Sequence, residues 1–259
     1  MGFIFILLLF AIIICCAKFG AKGSNILIEY LITQFRIDPK IAYKLWKGKK
    51  HLRSYMISLK PYAVNSGNYK RNVKQKAIRV KQLTENLPIT SILDIGTETL
   101  VYLDELEKQF GVPVRGINVR NFAHYSTFNS NDSRFSFYDN KIEKGADLIT
   151  LMSVLHHIPD IDEEHNIKWF LDQFCDNCKI LVIKENDLID ESSKMMFDIQ
   201  HIAFEEIFND KPQKSYRRYD ITAKWLQTQM LKRGFKRIKY IQSQTFTRSF
   251  WAVFTNISP

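Results

Sequence analysis

The sequence predicts an α/β protein: a doubly wound sheet of five parallel strands ending in an antiparallel hairpin, preceded by an N-terminal apolar helix. Three observations carry this reading. From residue 69 onward, short continuous apolar runs alternate with stretches of helical periodicity, the pattern of parallel strands covered on both faces by helices. The last two β-rich runs, 235–243 and 246–254, are separated by two residues, too short a connection for anything but a hairpin. Finally, Gly2 to Ala17 carries no charge and only Lys18 interrupts the apolar character before Ala21. As a helix, that stretch is about 30 Å long at roughly 1.5 Å per residue, the thickness of a hydrocarbon core.

The N-terminal run is read as an uncleaved membrane anchor. No Lys or Arg precedes it, whereas Lys18 and Lys22 follow it; the positive-inside rule then leaves the remainder in the cytosol. The expected location is the membrane, through residues 2–17, with one pass and the domain facing the cytosol. The alternative is secretion after cleavage of a signal peptide, with Cys15 and Ala17 as the small residues before the cut. Cys15 and Cys16 are candidates for acylation at the membrane face, and small apolar packing explains them equally. The start, Met-Gly-Phe-Ile-Phe-Ile, lacks the Ser or Thr of a myristoylation signal.

Charge divides the chain further. The net charge is +10, yet Pro39 to Thr84 holds 13 Lys/Arg and no acid, and the rest holds 24 basic against 27 acidic residues. The basic excess is therefore local. It suits an anionic lipid surface or RNA as partner, with a merely solvated helical face as the alternative. Before it, Ser24–Phe35 is a predicted helix with Ser24 as N-cap; within it, Pro61 and Asn65-Ser66-Gly67-Asn68 break the chain. The organisation is then a membrane segment over 1–22, a basic membrane-proximal helical region over 23–66 and a catalytic-type domain over 67–259. A 46% hydrophobic fraction with 13% aromatic residues is enough to fill that domain's core.

Tyr69, Val73, Ala77, Val80 and Leu83 mark its first amphipathic helix. The first strand reads Ile89 to Gly96 and ends in Asp94-x-Gly96. Thr97 to Phe110 is a predicted helix with Gly111 as its stop. Strands follow at 112–118, 134–138, 146–152 and 179–183. Ile167, Phe170, Leu171 and Phe174 carry the helix between the last two, and a helix with Trp225, Leu226 and Met230 ends at Gly234. Cys175 and Cys178 form a C-x-x-C without a second Cys/His pair nearby, which is read as structural. No metal centre is expected, and four cysteines give no disulfide framework.

Taken in order, these pieces resemble the class I S-adenosylmethionine-dependent methyltransferases, of the kind called methyltransferase type 11, over roughly residues 69–255. Ile92-Leu93-Asp94-Ile95-Gly96 looks like that family's first strand and the opening of its glycine loop. Gly116-Ile117-Asn118 looks like the end of the second strand, and Ala146-Asp147-Leu148-Ile149 resembles the fourth. Val154-Leu155-His156-His157-Ile158-Pro159-Asp160 resembles the segment after that strand in many members. A narrower resemblance, to a subgroup of viral methyltransferase-like proteins, rests on Ile183–Asp187, Asp198-Ile199-Gln200-His201 and Tyr219 with Trp225; Asn186 stands there in place of an expected His.

The resemblance implies a Rossmann-like fold, S-adenosylmethionine as cofactor, and methyl transfer to an acceptor the sequence does not name. It implies a cofactor site made by Asp94, Gly96, Thr97, Asn118, Asp139 and Met152. The residues allow this physically. Gly96 gives a tight turn, and the following helix N-terminus favours a carboxylate. Asn118 can meet a ribose hydroxyl, and Asp139 can accept from the adenine amine. His156, His157 and Glu185 end strands four and five, the edge where open α/β sheets bind ligands, and are the candidates for aligning the acceptor and removing its proton. Two features depart from the pattern. Glu98 and Leu100 replace the later loop glycines, and Asn118 replaces the usual ribose-binding acid. The alternatives are therefore a catalytically silent binding module of this fold and an RNA-directed methyltransferase. For RNA cap ribose methylation, Lys184 suits the required tetrad, but Met152 stands where an Asp belongs.

Overall fold

The computed structural model describes residues 67–97, 100–118, 132–137, 142, 145–158, 166–191, 193–194, 197–198, 201–202, 218–244 and 248–257. The apolar run 2–17, the basic stretch 39–66, Glu98 and Asp139 lie outside the described residues. Among the described residues no helix is long and apolar enough to cross a membrane.

Seven strands form one sheet: β1 (Ile92–Ile95), β2 (Val114–Asn118), β3 (Phe135–Phe137), β4 (Leu148–Met152), β5 (Ile180–Asn186), β6 (Lys236–Gln244) and β7 (Arg248–Thr255). Their spatial order is β3-β2-β1-β4-β5-β7-β6. The first five are mutually parallel, and β7 runs antiparallel to both β5 and β6. The hairpin thus docks through its second strand, leaving β6 at the edge. That strand alone is largely exposed, with Lys236, Arg237 and Lys239 along it, charges that protect an edge from pairing.

Among the described residues, helices α1 (Gly67–Leu83), α2 (Leu100–Phe110), α3 (Ile167–Asp176) and α4 (Ala223–Leu231) cover the sheet. Side chains alternate across a strand, and the apolar runs accordingly divide into two cores. On one face Ile92, Leu148, Ile180 and Val182 meet Val73, Ala77 and Val80 of α1 with Leu103 and Leu106 of α2. On the other, Leu93, Ile149, Leu151, Leu181 and Ile183 meet Phe170, Leu171 and Phe174 of α3 with Leu226 and Met230 of α4. Each such side chain fully withdrawn from water contributes about 1.5–3 kcal/mol. The outer face of α1 holds Lys70, Arg71, Lys74, Arg79 and Lys81, all exposed, so the C-terminal part of the basic block is the solvent side of a packed amphipathic helix.

Two of the boundaries that differ from expectation bear on the site. The fifth strand runs three residues further than 179–183, because Lys184, Glu185 and Asn186 keep pairing with Trp251, Phe250 and Ser249 of β7. Thr97 is not helical: its amide and that of Gly96 both donate to Ile117 O, at 3.1 and 2.8 Å, which holds the turn flat against the end of β2.

Candidate functional site

Strand order reverses between β1 and β4, and the C-terminal ends of these two strands and their neighbours face one crevice, the place where such sheets bind ligands. On the β1–β2 side, Gly96 turns the chain with φ +77°. A Cβ there would meet Val154 Cγ2 at 2.5 Å, so glycine is required both by the left-handed backbone and by Val154 packed against it. Asp94 is buried, and its carboxylate accepts from Thr97 Oγ1 at 2.8 Å and Thr150 Oγ1 at 2.6 Å. Asn118 donates from its amide nitrogen to Thr97 O at 2.9 Å, which ties the end of β2 to the turn. Asp94, Thr97 and Asn118 are thus brought together, as a network bracing the turn.

A cofactor with an adenosyl and an amino-acid part fits this edge within limits. Asn118, at the end of β2, is the residue that would lie beside its ribose. The Gly96 and Thr97 amides are spent on Ile117 O, however, and a cofactor carboxylate must find its donors further along, toward α2. Met152, half-buried, ends β4 beside Lys184.

The β4–β5 side is more strongly built. Ser153 has φ +64°, a left-handed backbone that costs a non-glycine residue of order 1 kcal/mol. It is held by Ser153 N donating to Lys184 O at 2.7 Å and Lys184 Nζ donating to Ser153 Oγ at 2.9 Å. This turn throws Leu155–His157, a single 3-10 turn, back over the strand ends. There His156 Nδ1 lies 2.6 Å from Glu185 Oε1. Glu185 also accepts from Leu155 N at 3.0 Å and Asn186 N at 2.8 Å. Burial pushes the Glu185 carboxyl up, but the His156 ring, the Asn186 amide and Lys184 outweigh it and hold the group below the usual carboxylate range. The tautomer of His156 that donates Nδ1–H to Glu185 Oε1 keeps its lone pair on Nε2.

Residues that sequence reasoning did not assign to the site complete this side. His201 Nδ1 donates to Phe197 O at 2.9 Å, and its ring centroid lies 5.3 Å from His156 and 5.5 Å from His157. Phe197 stands edge-on to His156 at 5.0 Å. Arg218 N donates to His156 O at 3.0 Å, and Tyr219 OH to Asp198 Oδ1 at 2.5 Å. His201 entered the sequence reading only within a resemblance; the signal available was a His one helical turn after a large apolar residue.

Two other features sit elsewhere. Cys175 and Cys178 are free and buried. Burial pushes the Cys175 thiol up to about 12 and raises that of Cys178 as well, which makes both unreactive. A shallow polar depression of about 710 Å³, lined by Gly145, Asn177, Lys179, Arg233 and Asn256 among others, opens at the N-terminal edge of β4 and β5. It is the wrong edge for the chemistry described above, so we place the site by strand ends and not by this hollow.

No family model matches the chain, and no curated protein matches it. Among solved structures, it is similar to magnesium protoporphyrin IX methyltransferase from Synechocystis PCC 6803 with bound S-adenosylhomocysteine. The TM-score is 0.50 at 14% identity, over 73% of this chain and 84% of that one. The chain has the class I S-adenosylmethionine-dependent methyltransferase fold. Mitomycin 7-O-methyltransferase (TM-score 0.49, 15% identity, 73% of this chain) and human N-acetylserotonin methyltransferase in complex with S-adenosylmethionine (0.49, 11%, 74%) are also similar. This methyltransferase-fold chain spans little more than half of those two, 56% and 55%. The narrower viral resemblance has nothing behind it beyond the residues quoted for it.

Proposed function

We propose that the chain is an S-adenosylmethionine-dependent methyltransferase whose acceptor lies over the C-terminal ends of β4 and β5 and loses a proton to His156. The observation that carries this is the buried His156–Glu185 pair at 2.6 Å. An ionised carboxylate on Nδ1 leaves the lone pair on Nε2 and stabilises the imidazolium that forms when Nε2 takes a proton. Such a device is needed for an acceptor that must be deprotonated, such as a hydroxyl, and is superfluous for a group that already carries a free lone pair. Bound S-adenosylmethionine supplies an electrophilic methyl group. Asn118 holds the ribose, and Ser153 with Lys184 fixes the turn that carries His156. His157 lies beside His156 and orients the acceptor.

The test is calorimetry of the full-length chain, in detergent, with S-adenosylmethionine and S-adenosylhomocysteine, followed by methyl transfer to a panel of hydroxyl compounds. Binding of both ligands and loss of transfer in His156→Gln support the reading; no binding at millimolar ligand overturns it. A specific observation favours a second reading: the spent Gly96 and Thr97 amides and the Val154 side chain against Gly96 are what a silent binding module of this fold would show. The same calorimetry separates the two.

We further propose that residues 2–17 tether the domain to a membrane on its cytosolic side, with the basic stretch 39–84 against anionic lipid. Resistance of the full-length chain to alkaline extraction supports the tether. A mature N-terminus at Lys18 would overturn it in favour of a cleaved signal. In a chain lacking residues 2–22, binding to anionic vesicles that ignores salt and is unchanged when Lys47, Lys49, Lys50 and Arg53 are neutralised would remove the lipid role of the basic stretch.

A further inference from the structure

We propose that His156, His157 and His201 form a binding site for a divalent transition-metal ion, zinc being the best match. One ring nitrogen of each lies within 4.8 Å of the other two. The rings come from two separate stretches, the 3-10 turn after β4 and the helical residues 201–202, and converge with centroid separations of 4.1, 5.3 and 5.5 Å.

Two of the three rings are already set for coordination. Metal-bound histidines nearly always give their other ring N–H to a carboxylate or a backbone carbonyl, which fixes the tautomer and raises the basicity of the ligating nitrogen. His156 does this with Glu185 Oε1 at 2.6 Å, and His201 with Phe197 O at 2.9 Å. In both, the Nδ1–H tautomer puts the ring's lone pair on Nε2. The Glu185 charge, wholly buried and ionised, offsets part of an ion's charge, and Phe197 packed against His156 and His201 closes one side against water. Zn–N bonds of about 2.0–2.1 Å place ligand nitrogens roughly 3.4 Å apart in a tetrahedron. Closure on an ion therefore needs ring movements of about 1 Å, within reach of χ rotation for the half-buried His157 and His201. All-imidazole ligation suits zinc, and also iron, copper or nickel, over magnesium or calcium.

Three protein ligands leave a fourth position open, as catalytic zinc sites do. Resting here on the methyl-transfer reading, the open position would take the acceptor oxygen. The ion would then lower that oxygen's pKa and replace the free His156 imidazole as the means of deprotonation. Binding of the ion does not depend on that reading.

The experiment strips the full-length chain with a chelator and titrates it with zinc chloride, then with cobalt(II) chloride as an optical probe. Expected are one zinc per chain, the intense visible bands of a tetrahedral cobalt site, and at least about a 100-fold loss of zinc affinity in His201→Ala. Glu185→Gln, acting through His156, should cost about 10- to 100-fold. Circular dichroism of each variant shows whether it folds, and His157→Gln serves if His201→Ala does not. Absence of stoichiometric zinc, or zinc held equally by folded His201→Ala (as when His51, His124 or His165 supply the ligands), overturns the proposal. Binding of S-adenosylhomocysteine is read on the same samples. Zinc without S-adenosylhomocysteine leaves this site standing and sinks the methyl-transfer reading; the reverse sinks this site alone.

Discussion

His156 Nδ1 and Glu185 Oε1 meet at 2.6 Å with side chains only 4% and 1% exposed. An anionic group so deeply buried survives because every oxygen is used: Glu185 accepts from one ring and two backbone amides. Breaking such a pair from one side leaves an uncompensated buried group, which typically costs 3–5 kcal/mol.

The pair makes stability depend on pH with a definite sign. The Glu185 carboxyl is held below its ordinary value of 4.5, so its contribution is present above that value. It is lost as pH falls through the depressed folded value. The denaturation midpoint should therefore drop on acidification below about pH 4.5, and Glu185→Gln should show a shallower drop. Asp132, Asp147 and Asp190 are lowered too and act in the same direction, so the mutant slope should shrink without vanishing. An unchanged slope would show that Glu185 does not titrate with unfolding.

Asp94 is a bracing residue before it is anything else. Its carboxylate accepts from Thr97 and Thr150 in the core, and its charge adds to burial in pushing the Tyr102 phenol well up. Asp94→Ala strands the buried Thr150 hydroxyl and leaves Thr97 Oγ1 only the backbone carbonyl of residue 94, at 3.0 Å, and should cost about 2–4 kcal/mol of stability. Thr150→Val removes one bond and keeps the shape, and should cost about 1 kcal/mol. Urea denaturation compares them; equal costs would mean that Asp94 is not shared between the two hydroxyls.

Asn118 bears on stability and cofactor together. Asn118→Ala should lose about 1 kcal/mol of stability with the Thr97 O bond, and weaken S-adenosylhomocysteine by about tenfold if Oδ1 holds a ribose hydroxyl. Asn118→Asp restores the acid usual in the family but turns a carboxylate toward Thr97 O. It should be less stable than wild type while binding at least as tightly. Calorimetry beside thermal denaturation reads both effects, and parallel losses in the two variants would mean that residue 118 only braces the turn.

Periodicity alone exposed the centre of the sheet, because the apolar runs of β1, β4 and β5 are buried on both faces and had to be continuous. The end of β5 was hidden: Lys184, Glu185 and Asn186 are polar, and only pairing with β7 makes them strand. His156 and Glu185 were legible as strand-end residues, but their contact spans 29 positions, and no local pattern encodes it. His201 was hidden for the same reason, since nothing near it in sequence says which face of the sheet its helix covers. Thr97 read as the first residue of the helix that ends at Phe110; the pull of Ile117 O on its amide is tertiary.

Gly96 offers the last test, since two explanations of it make different predictions. If the glycine is there for the cofactor, Gly96→Ala should abolish S-adenosylhomocysteine binding and leave stability nearly intact. The structure assigns it instead to the turn. Its φ of +77° is strained for any L side chain, and a Cβ would strike Val154 Cγ2 at 2.5 Å. Gly96→Ala should then cost about 1–2 kcal/mol through the backbone and a comparable amount through the clash. Val154→Ala on its own costs only the lost packing, whereas adding it to Gly96→Ala relieves the clash and leaves the backbone term. A double-mutant cycle in urea should thus give a favourable coupling of about 1 kcal/mol or more, well above the few tenths expected of independent sites. Zero coupling would mean that Val154 yields freely, and that the space at Gly96 is kept for something other than Val154.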